Sequence, residues 1–164
     1  MIAQPRPLIE VFADIPDVRS RRGTRHPLSA MLAMACCAML CGYRSSSAIA
    51  AWGRNYGPSI AHALGFTHRT PCAATLHTVL RHVDRDDLAE RLGTWAERVV
   101  VSTPAASAAG EVAVALDGKT LRGSQKQGAP GVHLLSALSH HVGLTLTQQA
   151  VDAKTNEITQ VETV

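Results

Sequence analysis

The stretch EVAVALDGKTLRGS, which runs from Glu111 to Ser124, decides the fold that the sequence predicts. Its first six residues, 111–116, are compatible with a strand and almost wholly apolar, with valine and leucine on one face and alanine on the other. A strand that is apolar on both faces is typical of the middle of a covered sheet. We therefore expect a buried central strand that ends at Asp117.

The residues that follow this strand can be interpreted in two ways. A carboxylate at the mouth of a buried strand is suited to hold a hard cation such as Mg²⁺, which prefers oxygen ligands. The pair Asp117-Gly118 also suits a tight type I′ hairpin turn, so both interpretations remain open on these residues alone. A phosphate loop is excluded, because that motif needs a glycine five residues before Gly118 and the sequence has Ala113 there.

Length and charge allow several classes of function. The 164 residues are sufficient for one ordinary domain or two small ones with a buried core. The net charge of +3 permits nucleic-acid binding but does not argue for it. Four arginines are concentrated in one short segment: Arg19, Arg21, Arg22 and Arg25. Such a segment is either a solvated loop or a phosphate-binding one, because guanidinium groups match phosphate oxygens.

Helical periodicity dominates the chain up to about residue 101. The segment from Leu28 to about Leu40 is apolar nearly all round, which predicts the central helix of a bundle, beginning at Pro27 and ending near Gly42. Amphipathic helices are expected on either side of it, over residues 7–15, about 45–56, 59–64, 73–83 and from 85 onward. Ser45 to Ser47 supply the N-cap candidates of the helix that ends near residue 56, and Asp84 is the expected N-cap of the last helix.

Cysteines and histidines give little indication of a metal site. Three cysteines fall on the apolar helix and are interpreted as small core residues: Cys36, Cys37 and Cys41. Five further residues follow no closed zinc pattern: His62, His68, Cys72, His77 and His82. Residues 66–83 have the length of a helix-turn-helix, but they lack a second basic face, which favours plain helical packing.

Nothing in the sequence indicates export or a membrane span. The first residues lack the basic segment leading into an apolar run that is typical of a secretory signal, so we expect a cytoplasmic protein with free thiols. The apolar segment from Leu28 to Gly42 is shorter than the ~18 residues that a membrane span requires.

Beyond a linker of small residues, from Ser102 to Gly110, the periodicity becomes strand-like. Strands are expected over 111–117, 132–139 and 144–151, and the short turn between the last two implies an antiparallel pair. The predicted fold class is therefore α+β. A helical domain (1–101) is followed by the linker (102–110) and by a domain (111–164) that contains a β-hairpin and a central strand.

The block LDGKTLRGS, Leu116 to Ser124, resembles the segment that carries the first catalytic aspartate of the H-repeat-associated (ISAs-type) insertion-sequence transposases, a DDE family. Other motifs are similar to this family's and keep its order: DIPDVR (14–19), RGTRHPL (22–28), CGYRS (41–45), AIAAW (48–52), VHLLSA (132–137) and KTNEIT (154–159).

This resemblance implies a ribonuclease-H-like catalytic domain that transfers DNA strands at transposon ends by metal-dependent phosphoryl transfer, with Mg²⁺ as cofactor. Asp117 matches the first catalytic and metal-binding aspartate. Residues expected to contact DNA are Arg19, Arg21, Arg22, Arg25, Lys119 and Arg122. Members of the family continue beyond the equivalent of Val164, so the resemblance implies a truncated transposase that is inactive alone. We also expect copies of the chain to associate through the sheet.

Two alternative functions remain open at this stage. One is a DNA-binding regulatory protein that lacks catalysis, and the other is a helical interaction domain with no nucleic-acid role. The salt dependence of DNA binding would separate them, because phosphate contacts produce a steep dependence.

Overall fold

The computed structural model describes residues 5–20, 22, 24–102, 113–121, 124, 131–140 and 143–151. Within these residues six helices precede one antiparallel sheet of three strands, which confirms the mixed helix-and-sheet prediction. The helices are α1 (Leu8–Ala13), α2 (Leu28–Leu40), α3 (Ser46–Asn55), α4 (Gly57–Ala63), α5 (Ala73–His82) and α6 (Arg85–Ser102). The strands are β1 (Val114–Thr120), β2 (His133–Ser139) and β3 (Leu144–Val151). No described helix combines the length and hydropathy that crossing a membrane requires.

The chain divides into two compact units, one formed by residues 6–88 and the other by residues 1–5 and 89–164. We call the first the helical unit, because it contains α1 to α5 and the start of α6. The sheet and the rest of α6 belong to the second unit. The domain boundaries given by the sequence stay a prediction, and residues 103–110 of the expected linker lie outside the described residues.

The core of the helical unit forms around α2, as the apolar sequence of this helix predicts. Met31, Met34 and Ala38 on α2 are completely buried. Helix α2 packs against α1 and α3, and α3 packs in turn against α5 and α4. Phe12 of α1 and Leu76 of α5 are buried in the same unit. Aliphatic and sulfur-containing side chains therefore supply most of the packing, which agrees with the low aromatic content of 4%.

The ends of α2 are set by local sequence. Pro27 is the residue immediately before the first helical residue, where a missing amide costs nothing. At the other end Gly42 has a φ of +89°, in the left-handed region that favours glycine. The amide of Gly42 donates to the Met39 carbonyl and the amide of Tyr43 to the Ala38 carbonyl, both at 2.9 Å. These bonds satisfy carbonyl groups of the last turn and end the helix.

The predicted N-caps are confirmed at two other helices. The Ala48 amide donates to Ser45 Oγ at 3.2 Å at the start of α3. The amides of Asp86 and Asp87 donate to Asp84 Oδ1 at 3.0 and 3.1 Å at the start of α6. Each cap satisfies helix amides that have no intrahelical acceptor.

The cysteines are all free, as predicted, but of the three that were expected in the core one is exposed. Cys36 and Cys37 are half-buried on α2, and burial raises the pKa of the Cys36 thiol. Cys41 is exposed because it follows the last residue of α2, where the chain turns through Gly42. The prediction of a core position is therefore wrong for Cys41.

β2 is the central strand of the described sheet and β1 lies at its edge, so the expectation that the strand before Asp117 is the central strand of a covered sheet stays a prediction. The strand order is β1-β2-β3, with antiparallel pairing throughout. Leu135, Ala137 and Ser139 of β2 are buried, whereas Val114 and Leu116 of β1 are 48% and 44% exposed. Apolar residues alternate in edge strands and in central strands alike. β2 is central because it pairs with a strand on each side.

The interpretation of Asp117-Gly118 as a hairpin turn is wrong. Both residues lie inside β1, where Asp117 pairs with Ser136 and Gly118 with Leu135. The register continues without a break to Thr120, which pairs with His133. The antiparallel pairing of β2 and β3 is confirmed, and Gly143, with a φ of +69°, precedes β3 directly.

Helix α6 approaches the sheet closely at one glycine. A Cβ atom built on Gly93 would lie 2.7 Å from the Leu146 carbonyl oxygen of β3. Ala96 and Val100, three and seven residues further along α6, are buried on the same helical face. The missing side chain at position 93 therefore allows the backbones of α6 and β3 to come together.

We expect Gly93→Ala to lower the free energy of unfolding by about 1–3 kcal/mol, the usual range for overpacking. The carbonyl oxygen of Leu146 belongs to the backbone of a paired strand, so it cannot move aside without disturbing the sheet. Alanine forms helices better than glycine by about 1 kcal/mol, so without the contact to Leu146 the substitution should stabilise the chain. A loss of stability would therefore indicate that contact.

Urea unfolding followed by circular dichroism measures this change. The matched control is Thr94→Ala at the adjacent exposed position of α6, which should be neutral or slightly stabilising. An equal gain of stability in both variants would show that α6 does not pack on β3 at Gly93.

Candidate nucleic-acid interface

The connector between α1 and α2, residues 14–27, contains the arginines that the sequence assigns to DNA contact. Arg22 and Arg25 are exposed and form no ion pair with any described residue. Arg21 lies outside the described residues. The two described arginines present their guanidinium groups to solvent, where a phosphate could reach them.

Arg19 contacts the connector itself. Its Nε and Nη2 atoms donate to the two carboxylate oxygens of Asp17, at 2.7 and 2.6 Å. Nη2 also donates to the His26 carbonyl at 2.9 Å. The side chain of Arg19 is only 19% exposed, and it lines a small crevice together with Leu28 of α2 and Val79 of α5. Arg19 thus ties both ends of the connector together and places them against the helices.

The ion pair with Arg19 holds the pKa of Asp17 below its usual range, mainly through the hydrogen bonds from the guanidinium group. The backbone amide of Arg19 adds a further hydrogen bond to Asp17 Oδ1 at 3.1 Å. Both interactions favour the charged carboxylate. The connector therefore has its most favourable contacts when Asp17 is ionised.

His26 lies where the connector meets the segment after α4. Its ring packs edge-on against Phe66, with centroids 5.8 Å apart and an interplanar angle of 72°. Burial lowers the pKa of His26, and the positive charges of Arg19, Arg25 and His68 lower it further. These charges act on His26 only because they lie near it, so basic groups from two segments of the helical unit converge around this ring.

A second basic group, which the sequence prediction does not include, lies beyond the end of α3. Arg54, His62, His68 and Arg69 line one cleft of about 470 Å³. The sequence analysis weighed His62 and His68 as zinc ligands and found no closed zinc pattern. Among the described residues, no three histidine, cysteine, aspartate or glutamate side chains are grouped as metal ligands.

The expected catalytic aspartate lies on the sheet. Asp117 is exposed on β1, in a row with Ser136 of β2 and Gln148 of β3. The Gln148 amide donates to Ser136 Oγ at 2.9 Å. Lys119 lies two residues along β1 and therefore on the same face as Asp117, whereas Arg122 lies outside the described residues. The sheet thus presents one carboxylate and one ammonium group on one face.

This face does not by itself make a metal site. A pair of catalytic cations is usually held by several carboxylates. Asp117 is the only carboxylate in the described strands, and no group of three ligands occurs in the described part of the chain. One carboxylate cannot hold two hard cations. The described residues of the sheet therefore supply one candidate ligand of Mg²⁺ and not a complete metal site.

A family model and several curated relatives match this chain. A family model described as DDE_Tnp_1-associated matches residues 9–96 of the chain, which include α2 to α5 and most of α1 and α6. The chain is 29% identical over 156 residues to the protein named "Putative transposase YncI" of Escherichia coli (strain K12). It is 28% identical over 158 residues to the "H repeat-associated putative transposase YhhI" of the same strain.

A third relative is the "Uncharacterized protein in dhlA 3'region" of Xanthobacter autotrophicus, 32% identical over 165 residues. These matches cover 94%, 94% and 98% of this chain but only 60%, 40% and 52% of the YncI, YhhI and Xanthobacter proteins. The chain therefore spans about half the length of the curated relatives that it matches. No solved structure is significantly similar to it.

We expect the chain to lose stability as the pH falls from about 7 to 5, in part through His26. Its pKa is lowered in the folded state, so the unfolded chain binds the proton more readily. The stability that neutral His26 contributes is thus complete above the ordinary histidine pKa of about 6.5 and is lost below it. Asp17, whose pKa is also lowered, acts in the same direction at still lower pH.

Urea titrations at a series of pH values measure this effect. His26→Gln removes the titrating group and should reduce the loss of stability between pH 7 and pH 5, while His77→Gln at an exposed position of α5 serves as the control. If His26→Gln and the unaltered chain lost the same stability between pH 7 and pH 5, protonation of His26 would not be a cause of the loss.

Proposed function

This chain belongs to the DDE_Tnp_1-associated family, the family of the H-repeat-associated transposases, and we propose that its helical unit binds DNA at the ends of an insertion sequence. The observation that carries the proposal is the exposed pair Arg22 and Arg25 on a connector held in shape by Arg19. Guanidinium forks match phosphate oxygens in geometry as well as in charge.

The connector is suited to phosphate contact because its shape does not depend on Arg22 or Arg25. Asp17 and the His26 carbonyl occupy Nε and Nη2 of Arg19. The guanidinium group has five N–H donors, and the two Nη1 donors of Arg19 have no partner among the described residues, so we propose that they also contact a phosphate. In this proposal Arg21 adds a fourth guanidinium group to the same surface.

The second unit is proposed to be the beginning of a ribonuclease-H-like catalytic domain. Support comes from the antiparallel order β1-β2-β3 with a carboxylate, Asp117, on the first strand. Asp117 is proposed as the first catalytic carboxylate and as a ligand of Mg²⁺, which in this chemistry stabilises the attacking and leaving oxygens. Lys119, on the same face, and Arg122 are proposed to contact DNA phosphate.

The setting of this function is proposed to be the cytoplasm, and four free thiols agree with a reducing compartment. Association of copies through the sheet stays a prediction. The position of β1 at the edge of the described sheet supports it, because an unpaired strand edge can pair with a second chain, and the exposed side chains of Val114 and Leu116 add apolar surface.

We expect the 164-residue chain alone not to cleave or join DNA in Mg²⁺ or Mn²⁺. The physical reason is that Asp117 is the one carboxylate of the described strands and cannot hold two cations. Incubation of labelled duplex DNA with the purified chain and with Asp117→Ala measures the activity. Robust cleavage that disappears in Asp117→Ala would show that other carboxylates complete the site.

We expect the double variant Arg22→Gln/Arg25→Gln to bind duplex DNA more weakly and with a shallower salt dependence. Each lost phosphate contact should reduce the slope of log affinity against log salt by about 0.9, so the slope should fall by nearly two units. The folded state should be unaffected, because neither side chain makes an ion pair with a described residue.

Fluorescence anisotropy with a labelled duplex over a series of NaCl concentrations measures both quantities. The matched control is Arg98→Gln, an exposed arginine of α6 outside the helical unit, which should bind like the unaltered chain. Unchanged affinity and slope in the double variant would rule out the connector as the DNA-binding surface.

A further inference from the structure

The cleft beyond the end of α3 is built by one turn of the backbone and one close approach. Gly57 has a φ of +78°, which lets the chain pass directly from α3 into α4. Gly53 lies on the other side, where an added Cβ would come within 2.6 Å of Met34 Sδ and 3.3 Å of the Thr70 side chain. The segment before α5 therefore packs directly on α3.

This packing brings two arginines to one cavity. Arg54 follows Gly53, and Arg69 precedes Thr70, so the contact between Gly53 and Thr70 places both arginines at the cleft although they are fifteen positions apart. His62 and His68 complete the basic lining. Local sequence does not reveal this group, because it forms only when α3 and the segment before α5 meet.

The cleft has basic groups and no acidic partner among the described residues. Its lining contains no aspartate or glutamate, and neither arginine forms an ion pair with a described residue. The surrounding sequence is equally one-sided: from Val18 to Val83 there are eight arginines and no aspartate or glutamate. Like charges that share a cleft repel each other, and an anion bound between them offsets this repulsion.

The cleft also continues the surface of the connector. His68 lines the cleft, and Phe66, two residues earlier, packs edge-on against His26 of the connector, with ring centroids 5.8 Å apart. The connector and the cleft are therefore neighbours within the helical unit. A DNA backbone that contacts the connector would have its next phosphates within reach of Arg54 and Arg69, since phosphates follow one another along each strand at short intervals.

Size and lining indicate which anion fits. A volume of about 470 Å³ exceeds the needs of a lone phosphate, and Pro58 and Ala61 supply an apolar wall. A phosphodiester with its sugar matches both features, because the arginines bind the phosphate and the wall contacts the sugar. We propose that the cleft lined by Arg54 and Arg69 binds a backbone phosphate of DNA, as a second contact beside the connector. This inference rests on the proposed DNA-binding function.

The test compares Arg54→Gln/Arg69→Gln with the unaltered chain in DNA binding over a series of salt concentrations. The expected result is a lower affinity and a salt slope reduced by about two units, at about 0.9 per contact. Arg54→Lys/Arg69→Lys keeps the charges and should restore most of the slope. Arg81→Gln is the matched control, because Arg81 lies in the last turn of α5, at the far end from Arg69.

A second measurement observes the cleft directly. In NMR spectra of the full chain, a thymidine dinucleotide should shift the amide signals of Gly53 and Thr70, and the glutamine double variant should lose this response. Inorganic phosphate is the probe for a free phosphate ligand, and its binding should be weaker than that of the dinucleotide.

The outcomes separate the two proposals. Normal DNA affinity and slope in the glutamine double variant would overturn the cleft proposal and leave the connector proposal standing. A chain that binds no duplex, and whose amide signals respond more strongly to inorganic phosphate than to the dinucleotide, would overturn both and make the cleft a site for a free phosphate ligand. No response to either probe, together with normal DNA binding by the glutamine variant, would show that the cleft binds no anion.

Discussion

The missing side chain at Gly53 is the constraint on which the helical unit depends. Met34 Sδ and Thr70 occupy the space that any other residue would fill, at 2.6 and 3.3 Å from an added Cβ. Met34 is completely buried on α2, and Thr70 begins the segment that leads into α5. Three segments therefore meet at one glycine of α3, and a protein interior is packed too densely to accept a side chain there without moving one of them.

An electrostatic contact fixes the shape of the connector, whereas apolar packing holds the helices together. Asp17 and Arg19 pair through two hydrogen bonds, and Arg19 also reaches the His26 carbonyl across seven residues. A single ion pair near the surface, even with a partly buried arginine, contributes little to stability alone. It does restrict where Arg22 and Arg25 lie, so its value is in fixing the shape of a surface and not in holding the unit together.

The sequence predicted what local signals determine. Pro27 and Gly42 bracket α2, and Ser45 and Asp84 cap α3 and α6, because each acts on backbone groups within a few residues. The position of β1 in the sheet depends on which strands pair with it, and apolar alternation carries no such information. Arg54 and Arg69 were missed for the same reason, since their common cleft is a tertiary contact. The absence of acidic residues from Val18 to Val83 was a signal in the sequence that could have directed attention to them.

That one-sided charge explains why the small net charge of +3 understates the basic character of the helical unit. The acidic residues of this unit, Glu10, Asp14, Asp17, Asp84, Asp86 and Asp87, all lie before Val18 or after Val83. Several have local structural roles there: Asp17 holds Arg19, and Asp84 caps α6. Arg22, Arg25, Arg54 and Arg69, which lie between them, form no ion pair with a described residue, so their repulsion is relieved only by solvent, salt or a bound polyanion. Solvent and salt screen the arginines wherever they lie, whereas a polyanion binds best when the arginines match the spacing of its charges. The phosphate groups spaced along DNA form such a polyanion.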